Sequence, residues 1–228
     1  MSAEIVRAVK LIIFDLDGTL VDSSIDITNA INYAIEPYGI KPITVQETIS
    51  LVGEGISSLM EKIVSRSQKS EDRRQTENIN RDILVERFLE YYSAHLIDNT
   101  PVYPGVRETL EKLKDYKKAV ISNKREALSI KILNDLGLLK YLDLVVGSDT
   151  TSGKKPSPIP IFYVLSKLNI KPEDTVIVGD SNFDIEAGKA AGIKTIAVTY
   201  GYRPLELLRD ADFVIDKMEE LINLLKTI

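Results

Sequence analysis

Aspartates recur in this chain where apolar runs end. Asp15 and Asp17 follow the apolar run 9–14, in which Leu11, Ile12, Ile13 and Phe14 are consecutive. At a spacing of two on an extended backbone, both side chains point to one side. Like charges held together need compensation, and a hard divalent cation is the common compensator. Gly18 lets the backbone come close to a ligand, and Thr19 adds a hydroxyl. An Asp-Gly pair after a strand is, taken alone, also the mark of a plain turn. Further along, Ser122 and Asn123 end the run 118–121, and Asp180 ends the run 175–178 after Gly179, with Asp184 one helical turn on. Lys155 sits in the loop Gly153-Lys154-Lys155-Pro156-Ser157-Pro158. Each of these reads singly as an ordinary turn or cap residue. Together they are hard to attribute to packing, because buried Asp and Lys are rare unless paired.

The elements that must bring them together read clearly. The short unbroken run at 9–14 predicts a strand buried on both faces. Further strands over 118–121, 142–146, 175–178, 194–198 and 213–215 alternate with helices over 106–113, 125–136, 159–168, 184–191 and 218–225, and a short helix over 205–208. Repeated strand–helix units predict an α/β fold, a doubly wound (Rossmann-like) parallel sheet with helices on both faces. In such a sheet the carboxyl ends share one edge, where open α/β folds bind ligands.

Residues 24–98 read differently, as helix throughout. Ile27, Ala30, Ile31, Ala34, Ile35 and Tyr38 recur at helical spacing. Thr44-Val45-Gln46-Glu47 has the form of a capping box. Gly53-Glu54-Gly55 breaks the pattern, and Ile56, Leu59, Met60, Ile63 and Val64 resume it. The polar stretch 65–80 reads as a solvated loop or exposed helix face, and a last helix runs from Ile79 to about Leu96. The expected organisation is therefore an α/β core domain of 1–22 and 99–228, interrupted by an all-helical cap domain of 23–98. The insert leaves directly after the paired carboxylates, which places it as a lid on their edge of the sheet.

Composition narrows the chemistry. The 228 residues hold no cysteine and one histidine, His95, near a helix end, where it reads as a surface or packing residue. Thiol and histidine mechanisms are thereby disfavoured, leaving carboxylates, Lys, Ser/Thr and backbone N–H groups. A net charge of −5 disfavours nucleic acid as a partner. No run approaches the ~18 apolar residues of a membrane span, and nothing near the N-terminus reads as a signal peptide. A cytoplasmic protein with no membrane partner is expected, and monomer and homodimer are left undecided. The loop 153–157 lacks the glycine spacing of a P-loop, and Gly53-Glu54-Gly55 is too short for a dinucleotide fingerprint.

In order, these motifs resemble those of the haloacid dehalogenase-like (HAD) phosphohydrolase superfamily. Asp15-Leu16-Asp17-Gly18-Thr19 resembles the first motif and Val120-Ile121-Ser122-Asn123 the second. Lys155 before Pro156 resembles the third, and Gly179-Asp180-Ser181-Asn182-Phe183-Asp184 the fourth. Val21-Asp22-Ser23 is similar to the phosphoglycolate phosphatase-like branch, and the helical insert lies where that branch has its cap. The resemblance implies a first strand flanked by the second and fourth. It also implies a Mg²⁺-dependent phosphatase of a small phosphorylated metabolite, phosphoglycolate being the first guess. Asp15 would be the nucleophile, forming an aspartyl-phosphate, and Asp17 the general acid/base. Lys155 would pair with Asp15 and a phosphoryl oxygen. Mg²⁺ would be held by Asp15, the Asp17 main-chain carbonyl and Asp180, with Asp184 behind them or bound through water. Leu16, Gly18, Thr19, Ser122 and Asn123 would line the phosphate, and Gly53, Glu54 and Gly55 in the cap would contact the rest of the substrate.

The branch often carries a basic residue just after that cap turn. Here Ile56-Ser57-Ser58 follows, and Lys62 is the nearest cation. Other activities on the same core are a β-phosphoglucomutase-like transfer, a pyrophosphatase and a non-catalytic binding module. The last would be expected to lack at least one of Asp15, Asp17, Lys155 and Asp180. A dehalogenase would not need Asp17 or Asp180. A phosphonatase would need a Schiff-base lysine in the cap, and none of Lys41, Lys62 and Lys69 sits in an apolar pocket signature.

Overall fold

The computed structural model describes residues 9–67 and 80–228. Lys69, Ile79 and most of the polar stretch before Asn80 lie outside the described residues. Six parallel strands among the described residues form one sheet: β1 (Leu11–Phe14), β2 (Lys117–Ile121), β3 (Leu144–Val146), β4 (Thr175–Gly179), β5 (Lys194–Val198) and β6 (Phe213–Ile215). Their order is β3-β2-β1-β4-β5-β6, so β1 lies between β2 and β4, as expected. The chain winds outward from β1 in one direction, then returns to β4 and winds in the other. That reversal leaves a crevice at the carboxyl ends of β1 and β4.

The residues explain the arrangement. All four β1 side chains are fully buried, which only a two-sided apolar cover permits. Leu11 and Ile13 pack with Ala119, Ile121, Val146 and Ile177 of neighbouring strands, under Ile161 and Val164 of α7 (Ile159–Leu168) and Ala187 of α8 (Asn182–Ala191). Helices α5 (Val106–Lys112), α6 (Glu126–Asp135) and α9 (Glu220–Leu224) complete the strand–helix alternation. β3 is shorter than the sequence pattern suggests. Asp143 turns its side chain onto β2 instead of extending the strand, accepting from the Lys118 amide at 2.9 Å and the Lys117 ammonium at 2.6 Å.

A second compact unit covers Ser23–Pro101. Its helices are α1 (Ser24–Ile35), α2 (Val45–Leu51), α3 (Ile56–Ser67) and α4 (Arg81–Ala94). α1 packs on α4, α3 on α4 and α2 on α1. The Thr44–Glu47 capping box forms as the sequence predicts, with bonds of 2.8 and 3.2 Å. Arg87 donates to the carbonyls of Tyr33 and Ala34, two of the acceptors that the end of α1 leaves without helical partners. The boundary at Pro101 has a local cause. The buried Asp26 carboxylate accepts from the Asn99 amide at 2.8 Å, the Asn99 side chain at 2.9 Å and the Thr100 hydroxyl at 2.7 Å, tying the end of the insert back to its start.

No helix among the described residues is long and apolar enough to cross a membrane. Asp26→Ala is expected to lower the unfolding free energy by about 3 kcal/mol, because three donors lose a charged acceptor at once. Asp26→Asn should lose less, and urea denaturation of the two variants checks the difference.

Candidate active site

The site starts from the sheet ladder. The Asp15 amide donates to Val178 O at 2.9 Å, the last ladder bond before β1 and β4 diverge. Beyond it the backbone turns, and Gly18 adopts φ +83°. A side-chain carbon there would also lie 2.3 Å from Asp180 Oδ2. Glycine is therefore required twice over, by the left-handed backbone and by the approach of a carboxylate. Gly201 walls the same group from the β5 side, where an added carbon would lie 2.2 Å from Asp180 Cβ.

Lys155 is the hub. Its ammonium lies 2.8 Å from Asp15 Oδ1 and 2.6 Å from Asp184 Oδ1, and the lysine side chain is 2% exposed. The other Asp184 oxygen accepts from the Ser181 hydroxyl at 2.6 Å and the Ser181 amide at 3.2 Å. Asp180 accepts from the Thr19 hydroxyl at 3.2 Å and the Tyr202 amide at 2.7 Å. Asp15, Asp180 and Asp184 can each direct an oxygen into one cluster no wider than 4.8 Å.

The electrostatics follow from that geometry. Burial pushes the Asp15 carboxyl well above the usual range, with Lys155 opposing and Asp184 and Asp180 adding to the rise. Burial likewise pushes Asp180 up to about 7, helped by Asp184 and opposed by the Tyr202 amide, Lys155 and Thr19. Burial works against the Lys155 ammonium, yet Asp15 and Asp184 outweigh it and hold its pKa above the ordinary lysine value. Two of the three carboxylates thus share one buried lysine, and the third, Asp180, is held by neutral donors. An all-oxygen donor set with surplus negative charge suits a hard divalent cation.

The structure brings Asp15, Asp180, Asp184, Lys155 and Thr19 into one cluster. Thr19 spends its hydroxyl on Asp180. The Leu16 amide donates to Asp15 Oδ1 at 2.6 Å, and the Gly18 amide donates to Val21 O at 2.9 Å. Ser122 is buried beside them, its Oγ accepting from the Lys124 amide at 3.2 Å. Asn123 donates its side-chain amide to the Lys155 carbonyl at 2.9 Å, so the second motif props the third. His95 lies in the helical unit, stacked on Tyr91 with Nδ1 2.7 Å from Asp98.

In the helical unit, Gly53 and Gly55 both have positive φ, and Glu54 accepts from the Ser58 hydroxyl at 2.6 Å and the Lys62 ammonium at 2.8 Å. Sequence reasoning missed Lys124, whose ammonium lies 2.9 Å from Asp17 Oδ1. It also missed Tyr200 and Tyr202 after β5. Their hydroxyls donate to Thr19 O at 2.9 Å and Asp22 Oδ1 at 3.1 Å. The available signal was position alone, since both groups follow the carboxyl ends of parallel strands.

Parallel strands, an inserted helical unit and carboxylates at the β1 and β4 ends define a HAD-type hydrolase, and the comparisons agree. The family model for haloacid dehalogenase-like hydrolases matches residues 12–198, and the chain belongs to that family. It is 38% identical over 226 residues to the phosphoglycolate phosphatase of Chromobacterium violaceum, covering 96% of this chain and 98% of that one. It is 38% identical over 222 residues to the phosphoglycolate phosphatase of Aquifex aeolicus, covering 95% and 96%. The crystal structure of a predicted phosphoglycolate phosphatase from Haemophilus somnus 129pt superposes with a TM-score of 0.88 at 30% identity, covering 95% of this chain and 97% of the other.

Gly18→Ala would push a carbon into the Asp180 carboxylate and strain a left-handed backbone, whereas Gly201→Ala would meet Asp180 Cβ and the Gly18 carbonyl oxygen, which is backbone and cannot swing aside. The backbone strain alone is expected to make Gly18→Ala destabilising by roughly 1–2 kcal/mol, measured by chemical denaturation against the wild-type chain. A smaller loss would mean that the backbone at Gly18 relaxes without cost.

Proposed function

We propose that the chain is a Mg²⁺-dependent phosphatase of a small phosphorylated metabolite, phosphoglycolate first, working through an aspartyl-phosphate on Asp15. The observation that carries this reading is the buried Lys155 ammonium bridging Asp15 and Asp184 within the carboxylate cluster. The arrangement suits a carboxylate that must act as a nucleophile beside an anionic phosphoryl group. The names of the curated relatives support the substrate class.

By this reading the Asp15 and Asp180 carboxylates and the Asp17 main-chain carbonyl would hold the Mg²⁺ ion. When bound, it supplies positive charge that keeps Asp15 ionised and offsets the charge on the phosphoryl oxygens. Asp15 attacks phosphorus, and a bond from its carboxylate oxygen forms as the bond from phosphorus to the ester oxygen breaks. The departing oxygen keeps the electron pair and takes a proton from Asp17. Asp17, now a carboxylate, takes a proton from the water that attacks the acyl phosphate. Inorganic phosphate leaves and Asp15 is regenerated.

Lys155 aims Asp15 and meets a phosphoryl oxygen, while Asp184 holds the lysine in place. The Ser122 hydroxyl takes another phosphoryl oxygen, and Asn123 fixes the Lys155 main chain. Most of the rate enhancement then comes from positioning and charge.

Phosphoglycolate and p-nitrophenyl phosphate should both be hydrolysed with Mg²⁺, with activity lost in EDTA and restored by added Mg²⁺. Asp15→Asn is expected to lower kcat by about a thousandfold or more, and Asp17→Asn by about a hundredfold or more. Full metal-dependent turnover by Asp15→Asn would sink the mechanism. Preference for a different metabolite would overturn the substrate and leave the reaction class standing.

A further inference from the structure

The two carboxylates of the first motif have different cations. Lys155 takes Asp15, while Lys124 lies on Asp17, its ammonium 2.9 Å from Oδ1. The Lys124 side chain is only 8% exposed, so it is not a solvated lysine that drifted onto an acid. Its backbone is tied on both sides. The Lys124 amide donates to Ser122 Oγ at 3.2 Å, and its carbonyl accepts from the Ser148 amide at 2.9 Å. Ser122 is itself anchored, its amide donating to Val146 O at 2.9 Å. The ammonium is thus presented from a loop fixed to the ends of β2 and β3. Ordering a long side chain costs rotamer entropy. A preset loop lowers what remains to be lost when the ion pair forms.

We propose that Lys124 is a positioning residue for Asp17, holding its carboxyl in the orientation from which it exchanges a proton with the reacting oxygen. The inference rests on the phosphatase reading, in which Asp17 is the proton donor. Asp17 sits at the outer side of the cluster, and its side chain is 19% exposed. Lys124 in this account acts through Asp17 and touches neither the phosphoryl group nor the leaving group. The division of labour gives it a kinetic signature. Loss of Lys155 harms phosphoryl transfer to Asp15 whatever the leaving group. Loss of Lys124 harms, in the transfer to Asp15 that kcat/KM reports, only those esters whose leaving group needs a proton.

The test compares kcat/KM for two esters in Mg²⁺ buffer. p-Nitrophenyl phosphate expels an anion that leaves without a proton, whereas phosphoglycolate expels an alkoxide that requires one. In Lys124→Met, kcat/KM for phosphoglycolate should fall about tenfold to a hundredfold, a misaligned share of what general acid catalysis supplies. The value for p-nitrophenyl phosphate should fall less than about threefold on the same argument. Lys124→Arg, which keeps the charge, should recover most of the loss. Added to Asp17→Asn, Lys124→Met should cost nothing further, since the two act as one unit. Each ratio of the two constants comes from one preparation, so partial unfolding cancels.

Equal losses for both esters would overturn the proposal by making Lys124 a phosphate-binding cation. No loss for either, or a full additional loss on the Asp17→Asn background, would overturn it too. Failure of the underlying reading looks different. In that case wild-type protein hydrolyses neither ester, or Asp17→Asn shows no dependence on the leaving group.

Discussion

The structure depends on one buried ammonium. Lys155 is removed from water, and a lone charge so placed would carry a desolvation penalty of several kcal/mol. It is tolerated because Asp15 and Asp184 meet it within hydrogen-bonding distance. Those partners come from the end of β1 and the first turn of α8, and the Lys155 carbonyl is held by Asn123 beyond β2. One lysine therefore ties together segments far apart in the chain. Removing one acid would leave the buried ammonium with a single partner, and removing both would strand its charge.

A second layer of polar contacts keeps the remaining acids from drifting. Asp180 is held by Thr19 of the first motif and by the Tyr202 amide beyond β5, and the Tyr200 hydroxyl holds the Thr19 carbonyl in turn. Burial of these rings pushes the Tyr200 and Tyr103 hydroxyls above the ordinary tyrosine value, with Asp180 adding to the Tyr200 shift and Asp22 to that of Tyr103. Both therefore stay neutral, and Tyr200 serves as a donor beside the acids. Asp15, Asp180 and Asp184 are thus fixed by neutral donors and one lysine, while burial pushes the Asp15 and Asp180 carboxyls toward their protonated forms.

Much of this was legible in the sequence, and the rest was hidden for a physical reason. Strands β1 to β6 and the helical insert follow from local periodicity, which a single sequence carries in full. Asp15, Lys155, Asp180 and Asp184 were legible because parallel strands send their carboxyl ends to one edge. The length of β3 was not, because whether Asp143 continues a strand or turns onto Lys118 depends on a neighbour distant in sequence. Lys124 was missed for the same reason. Nothing near it in the chain announces Asp17, and the pair exists only once β1 and β2 lie side by side. Asn123 shows the converse. Its place at a strand end was legible, but its contact with the Lys155 carbonyl was not.

The helical unit shows what a linear reading of charge leaves open. After Gly53-Glu54-Gly55 the chain runs Ile56-Ser57-Ser58, and Lys62 is the nearest cation by sequence. Spacing of four then carries the polar residues up one face of α3, and Ser58 and Lys62 both arrive at Glu54. The cation missing just after the turn is thus supplied from further along the helix. Both members of the pair are well exposed, at 36% and 41%, so the ion pair adds little to stability. Its consequence is electrostatic. Glu54 and Lys62 largely cancel, and an anionic ligand at this turn would have to compete with Glu54 for the lysine. Lys62 is thus an exposed cation already neutralised by Glu54, unlike the buried Lys155.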